Sequence, residues 1–380
     1  MSTLKVNAIR GTGASSDAIS VNSTDGTCTA NLTNPRSFRN LLINGDCLID
    51  QRNGGSSVTT GFAIDRTQIE GFDGGGTGTG QQVSDGPSGF TKSLKITVTG
   101  TDTSLASTDF YTLRQIIEGQ NVSFLGFGAS GGTSVTLSFW VKSSLTGTFS
   151  CSIGNGGNDR SYPKTYTISS ADTWEKKTLT FPAATDGTWG TDNGRGIAVR
   201  WSLGAGTGRL GTADQWNSSQ AHGATGTTNL FATNGATFFI TGLQLEAGSV
   251  ATDFEHRSYG DELTRCQRYC FVQTVDNLDY TGFICAAITP NDALCTRAMP
   301  VPMRTIPSYT GTETDVRVKT GADNSNTQHF DDFTIDKMPT TPSPAIITLR
   351  YENMGGMTAG QCGHLQSLQN NGKLIFSAEL

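Results

Sequence analysis

The chain has 380 residues, of which 47 are glycine and only 16 % are charged; the length suits two or three domains. Its formal net charge of −6 argues against nucleic acid as a partner, because such binding rests on basic patches. No apolar run approaches the ~20 residues that cross a bilayer, and Met1 to Lys5 begins no signal-peptide core, so no membrane insertion and synthesis in a cytoplasm are expected.

Residues 1–37 alternate briefly at Leu4, Val6 and Ala8 and again at Ile19 and Val21. A piece below ~40 residues has no core of its own. It is therefore expected to intertwine with copies of itself or to dock on a larger assembly, with Leu4 and Val6 at that interface. Residues 38–258 hold ten short runs expected as strands: Asn40–Ile43, Phe62–Ile69, Leu94–Thr99, Thr112–Ile117, Val135–Val141, Thr148–Ile153, Tyr162–Ile168, Lys176–Phe181, Ile197–Leu203 and Thr237–Leu245. They are rich in Val, Ile, Thr and Phe and are bounded by turn residues, with no helix between them. That pattern predicts an antiparallel jelly roll or β-sandwich. Gly71–Gly80 lacks the Lys-Ser/Thr of a phosphate loop and reads as a flexible turn. The long polar loops Asp186–Gly196 and Gly204–Thr233 have lengths that usually signal function.

Residues 259–270 are the one helical segment. Asp261 and Glu262 sit in its first turn and Arg265 and Arg268 near its last, as the helix dipole prefers, while Leu263, Cys266, Tyr269 and Cys270 recur at steps of three and four. Leu263, Cys266 and Tyr269 form the candidate face against an oligomer axis or a tip, and the same face would equally suit packing within one subunit. Residues 271–380 return to β patterning at Phe283–Ile288, Tyr309, Val316–Val318, Phe333–Ile335, Ile346–Tyr351 and Lys373–Ser377. The proline-rich Met299–Pro307 stretch must lie at an edge or run as an extended arm, since proline donates no ladder bond. The expected fold class is all-β, with an antiparallel jelly-roll middle domain, one short linking helix and a smaller C-terminal β domain.

Candidate chemistry is sparse. Cys28, Cys47, Cys151, Cys266, Cys270, Cys285, Cys295 and Cys362 show no paired or zinc-like spacing and read as reduced thiols used as small hydrophobes. Trp140, Trp174 and Trp201 lie in strands and are expected to pack. Trp189 and Trp216 lie in the long loops, beside Asp186, Asp192, Asn193 and Arg195 or beside Asp214, Gln215 and Asn217. An exposed ring with polar groups next to it is what a pyranose requires, so Trp189, Asp192, Asn193, Arg195 and Trp216 are the candidate glycan contacts. The competing reading is that these rings plug a sheet end or a subunit contact. Asp186, Asp192 and Asn193 could offer oxygens to Ca²⁺, yet the loop does not match an EF-hand and its Asp-Gly reads as a turn; no metal or cofactor is expected. Asp253, Glu255 and His256 belong to the helix entry, Asp331 and Asp332 to solvated loops, and no hydrolase or zinc-protease motif is present. No catalytic residue is assigned.

Several ordered blocks resemble a known family. These are Asn40-Leu-Leu-Ile-Asn-Gly-Asp-Cys-Leu-Ile-Asp-Gln-Arg52, Ala63-Ile-Asp-Arg66, Val135-Thr-Leu-Ser-Phe-Trp-Val-Lys-Ser143, Trp174-Glu-Lys-Lys-Thr-Leu-Thr-Phe-Pro182 and the long block from Ile240 to Tyr269, with Leu243-Gln-Leu-Glu-Ala-Gly248 and Asp253-Phe-Glu-His-Arg257 inside it. They are similar to successive blocks of tail-fibre proteins from marine bacteriophages, and Ser2-Thr-Leu-Lys-Val-Asn-Ala-Ile9 is similar to the virion-proximal start of such fibres. The resemblance implies a carbohydrate-binding-module-like jelly roll in a homotrimeric virion fibre. It also implies attachment to the phage tail or another virion protein through residues 1–37, a C-terminal tip, and adsorption to a host-surface glycan without catalysis. A capsid-attached head fibre or decoration protein and a polysaccharide depolymerase are the alternatives.

Overall fold

Alternating sequence builds the middle of the molecule. In Val135–Ser143, Val135, Leu137, Phe139 and Val141 are fully buried, while Thr136, Ser138, Trp140 and Lys142 point to the other side, as the period of two in a strand dictates. The computed structural model describes residues 39–71, 75–276 and 279–310 without a break, together with 8–9, 19–21, 24, 28–30, 316–319, 327–328, 332–335, 344–352, 358–367 and 372–380. Leu4 and Val6 lie outside the described residues.

Two antiparallel sheets face each other across one core. The first has six strands in the order Ser161–Ile168, Gly147–Asn155, Arg195–Ala205, Phe110–Glu118, Thr67–Glu70 and Gly61–Ile64; the second has five, in the order Glu175–Phe181, Val135–Ser143, Thr237–Ala247, Ser93–Gly100 and Thr77–Val83. Hairpins join some of the neighbours at the sheet edges, the other neighbours are distant in sequence, and the chain crosses repeatedly between sheets, which makes this a jelly-roll sandwich. Phe139, Phe149, Trp201, Phe238 and Tyr166 interlock in its centre, and Phe139 meets Tyr166 edge-on at 5.1 Å, the arrangement that ring quadrupoles favour.

Three expected elements come out differently. Asn40–Ile43 is not a strand, because side chains take its backbone groups: Arg39 and Asn40 N–H donate to Glu255 at 3.0 and 2.9 Å, and Ile43 N–H donates to Gln115 at 2.7 Å. Phe62–Ile69 breaks into two strands at Asp65-Arg66, where Arg66 has φ +70°. The supposed flexible turn at Gly71–Gly80 ends in the strand Thr77–Val83. A Cβ on Gly80 would stand 2.8 Å from the Cβ of Ala63, and one on Gly78 3.1 Å from Phe231. The glycines are therefore inward positions filled by neighbouring side chains rather than hinges.

The helix spans Tyr259–Gln267, capped by Ser258, whose hydroxyl accepts from Asp261 N–H at 3.2 Å. It stops short of the expected 270 because the strand Cys270–Val275 begins there. Cys266 and Tyr269 are buried within their own chain, with the Arg66 guanidinium 3.5 Å above the Tyr269 ring. Cys266 and Tyr269 thus pack within one chain, one of the two arrangements expected for this face, and Leu263 alone of the three stays half-buried.

After the helix come a three-stranded sheet in the order Cys270–Val275, Gly372–Ser377, Ser308–Thr310, and a seven-stranded sheet in the order Thr327–Gln328, Val316–Lys319, Cys362–Ser367, Tyr280–Ala287, Ala293–Ala298, Ile346–Glu352, Asp332–Ile335. Phe271, Phe283, Leu349, Leu365 and Phe376 form their shared core. Residues 299–307 lie outside the strands, run through several bends and bury Met299 and Met303. Cys285 and Cys295 form a disulfide, correcting the expectation of reduced thiols throughout. They are directly paired across neighbouring antiparallel strands, a proximity set by register and invisible in their spacing.

Charged groups fill the seam between sandwich and C-terminal unit. Glu379 pairs with both Arg66 and Arg52, and Arg52 lies 3.6 Å from Asp65. Arg268 grips Glu118 with two bonds of 2.7 Å, and the Tyr269 hydroxyl donates to the same carboxylate. Arg304 donates to the backbone carbonyls of Ala378 and Glu379 at 2.7 and 2.8 Å. Among the described residues, no helix is long and apolar enough to cross a membrane.

Candidate functional site

The two long loops bring Trp189 and Trp216 together at one end of the sandwich, with ring centroids 5.7 Å apart and nearly perpendicular. Phe127 packs edge-on against Trp189 at 4.8 Å and Tyr162 against Trp216 at 5.3 Å. Both tryptophans are half-buried, and the Trp189 indole N–H donates to the Asp186 carbonyl at 3.1 Å. The cavity beside Trp189, lined by Val122, Phe127 and Ile197, measures about 30 Å³, room for one water. The polar candidates turn elsewhere. Asp192 accepts from Gly194 N–H at 2.9 Å, and Asn193 exchanges two bonds with Arg304 of the seam, at 3.0 and 3.1 Å. Arg195 is exposed at the head of a six-stranded-sheet strand, opposite Glu118. Among the described residues no three His, Cys, Asp or Glu side chains converge as metal ligands.

A broader aromatic surface lies on the outward side of the five-stranded sheet. Trp140 and Lys142 project from one strand and Phe239 from its neighbour, where Phe239 pairs with Lys142 on one side and Lys95 on the other. Lys142 holds the strip together: its ammonium sits 4.3 Å from the Phe239 ring centre and 5.2 Å from that of Trp174, close enough for cation–π attraction. It also donates to Asp85 at 2.6 Å, and the Trp174 indole N–H reaches the other Asp85 oxygen at 3.3 Å. The bond from Lys142 holds the Asp85 carboxyl below the usual carboxylate range, so it remains an ionised acceptor. At the sheet bulge, a Cβ on Gly242, which has φ +63°, would stand 2.9 Å from Phe90 and 3.0 Å from Trp140. Phe90 in turn meets Phe254 at 5.0 Å and His256 at 5.4 Å.

Trp140, Trp174, Phe90 and Phe254 are half-buried and His256 is exposed. The strip thus combines part-exposed rings around the buried Phe239, which is 8 % exposed, with ammonium, carboxylate and imidazole groups beside them. Its chemistry suits the apolar face of a sugar ring and its hydroxyls together. Trp140, expected to pack, is half-buried and shares its phase with Thr136, Ser138 and Lys142 rather than with Leu137 and Phe139. Trp174 precedes its strand, which begins at Glu175, so alternation does not fix its direction.

No protein-family model and no curated protein matches the chain. Solved structures similar to it include the enzymatically active domain of bacteriophage CBA120 tailspike protein 4, at 13 % identity and a TM-score of 0.28, covering 55 % of this chain and 21 % of that one. A second is TmCBM61 in complex with β-1,4-galactotriose, at 13 % identity and a TM-score of 0.27, covering 55 % and 99 %. A third is a putative sugar binding protein from Bacteroides thetaiotaomicron, at 13 % identity and a TM-score of 0.31, covering 55 % and 100 %. The chain thus spans about a fifth of the tailspike's length and the whole, or nearly the whole, of the two sugar-related structures it aligns with.

Proposed function

We propose that this chain is a glycan-binding fibre protein of a phage virion, non-catalytic and used for adsorption to the host surface. The observation that carries the glycan reading is the outward strip of Trp140, Trp174 and Phe239 with Lys142 and Asp85 among the rings. The virion context rests on the sequence blocks resembling tail fibres. Glycan-array or whole-cell binding tests the reading. Trp140→Ala and Trp174→Ala should each weaken binding roughly tenfold, since a stacked ring contributes on the order of 1–2 kcal/mol, whereas Trp189→Ala and Trp216→Ala should act mainly on stability. Unchanged binding in the first pair removes the strip from the site. Release of reducing sugar from host polysaccharide would replace binding by depolymerisation.

Assembly as a homotrimer belongs to the same proposal. Tyr280, Ile284 and Ile346 are 55 %, 65 % and 51 % exposed, and Ile284 lies across from Thr296, which pairs with Thr348 two residues from Ile346. Such an apolar patch on one sheet face suits burial against sister subunits. The solution mass should be three times that of one chain, and a monomeric mass overturns this part.

A further inference from the structure

The outward side of the six-stranded sheet carries a different chemistry. Arg200 is 1 % exposed, and its Nε and Nη1 have no hydrogen-bond partner. On the same strand and the same side, Ser202 is buried with an unpartnered hydroxyl; above them the loop residue His222 is buried with an unpartnered Nδ1. The loop is fixed there by Ala224 N–H donating to Ser150 at 3.0 Å and by Ser152 donating to the Ala221 carbonyl at 2.8 Å, while the His222 ring packs 4.1 Å from Phe110. Buried polar atoms without partners cost free energy, and a guanidinium so placed costs most.

Burial and the Arg114 and Arg195 guanidiniums press Arg200 down to about 10, against the pull of the Glu70 carboxylate. Arg114 stands directly opposite Arg200 in register, and its own charge is already matched by Glu70 at 2.8 Å and Gln68 at 2.5 Å. Arg209 lies over the Phe110 ring at 5.5 Å. Burial and these guanidiniums push His222 down to about 3, so its imidazole is neutral at physiological pH. A protein of formal net charge −6 has here gathered cations around empty donors.

We infer that Arg200, Ser202 and His222 form a binding site for an oxyanion, the carboxylate of an acidic sugar, entered past the part-exposed side chains of Glu70, Phe110 and Arg209. A planar carboxylate matches the fork of a guanidinium, and its second oxygen is free for a hydroxyl or an imidazole N–H. This site stands apart from the Trp140 strip, on the opposite sheet, and its success or failure does not depend on that strip.

Calorimetric titration of the full chain at constant ionic strength, with sodium galacturonate, galactose and inorganic phosphate, tests it. Galacturonate should bind and galactose should fail to compete with it. Arg200→Met should weaken galacturonate at least roughly tenfold, the size expected for losing a charge-assisted bond. If Arg200→Met does not fold, the guanidinium resonances of arginine-labelled wild type supply the answer: one buried set should shift with galacturonate and not with galactose. Equal responses to galactose and galacturonate, a response to phosphate alone, or a wild-type affinity in folded Arg200→Met each overturn the proposal.

Discussion

Asp65 is 1 % exposed, with Arg52 at 3.6 Å and the Gln51 backbone N–H donating to it at 3.2 Å. Burial outweighs Arg52 and raises its carboxyl to about 6. That lies above the ~3.9 of an unfolded Asp, so the native state holds this proton more tightly. The resulting stabilisation is complete below about pH 4 and is lost as pH rises through about 6. His222 works in the opposite sense. Held at about 3 against ~6.5 unfolded, it contributes stability that is present above pH ~6.5 and drains away as pH falls. Each effect is on the order of 1–3 kcal/mol, and between about pH 4 and 6 they oppose. Urea midpoints across that range should therefore be flatter in the wild type than in either single variant. Asp65→Asn should leave a midpoint that rises with pH, and His222→Gln one that falls. None of this was legible in the sequence, since a lone Asp in Ala63-Ile-Asp-Arg66 and a lone His between Ala221 and Gly223 carry no sign of what covers them. The phase of Trp140 in its alternating strand was legible, yet its place in a strand alone led to the expectation that it packs.

Strands with a bulky side chain on every second residue were readable from that alternation, as in Val135–Ser143 and Thr237–Ala247. Thr77–Val83 was not, because its inward positions Gly78 and Gly80 carry no side chain to count; their bulk is supplied by Phe231 and Ala63 across the core. Gly80→Ala should accordingly destabilise the sandwich by about 1–3 kcal/mol, the cost of overpacking, rather than stabilise it as the same change does in a flexible loop. A shift of the urea midpoint to higher concentration would return this segment to a turn. The hairpin bearing Cys285 and Cys295 was half legible: the first strand was expected, but the pairing register that joins the cysteines was not. Alkylation of the denatured, unreduced chain should leave Cys285 and Cys295 unlabelled, and reductant should lower the stability of the C-terminal unit by about 2–4 kcal/mol.

At the scale of the molecule, the helix lies in sequence between the strands of the sandwich and those that follow it, and the seam beside it depends on groups far apart in sequence. Side chains of Arg66 and Glu379 are 2 % and 7 % exposed, and removing one partner of a buried pair costs about 3–5 kcal/mol. All five tryptophans lie between residues 140 and 216, so their fluorescence follows the sandwich, whereas circular dichroism follows both units. In the wild type the two unfolding curves should coincide. Glu379→Ala should separate them, and coincident curves in that variant would show that the charged seam does not couple the units. The same sequence distance hid the bonds that Asn193, a candidate sugar contact beside Trp189, exchanges with Arg304.

The two sheets of the sandwich turn their outer faces in opposite directions, one lined with rings and the other with guanidiniums. A flat carpet of receptor can meet one of these faces at a time. A hydrated layer of polysaccharide strands can meet both, and a fibre gripping separate strands on its two sides gains avidity without any single tight contact. Under the proposed function, that geometry would favour a particle that wades into a capsule or slime layer over one that alights on a smooth wall.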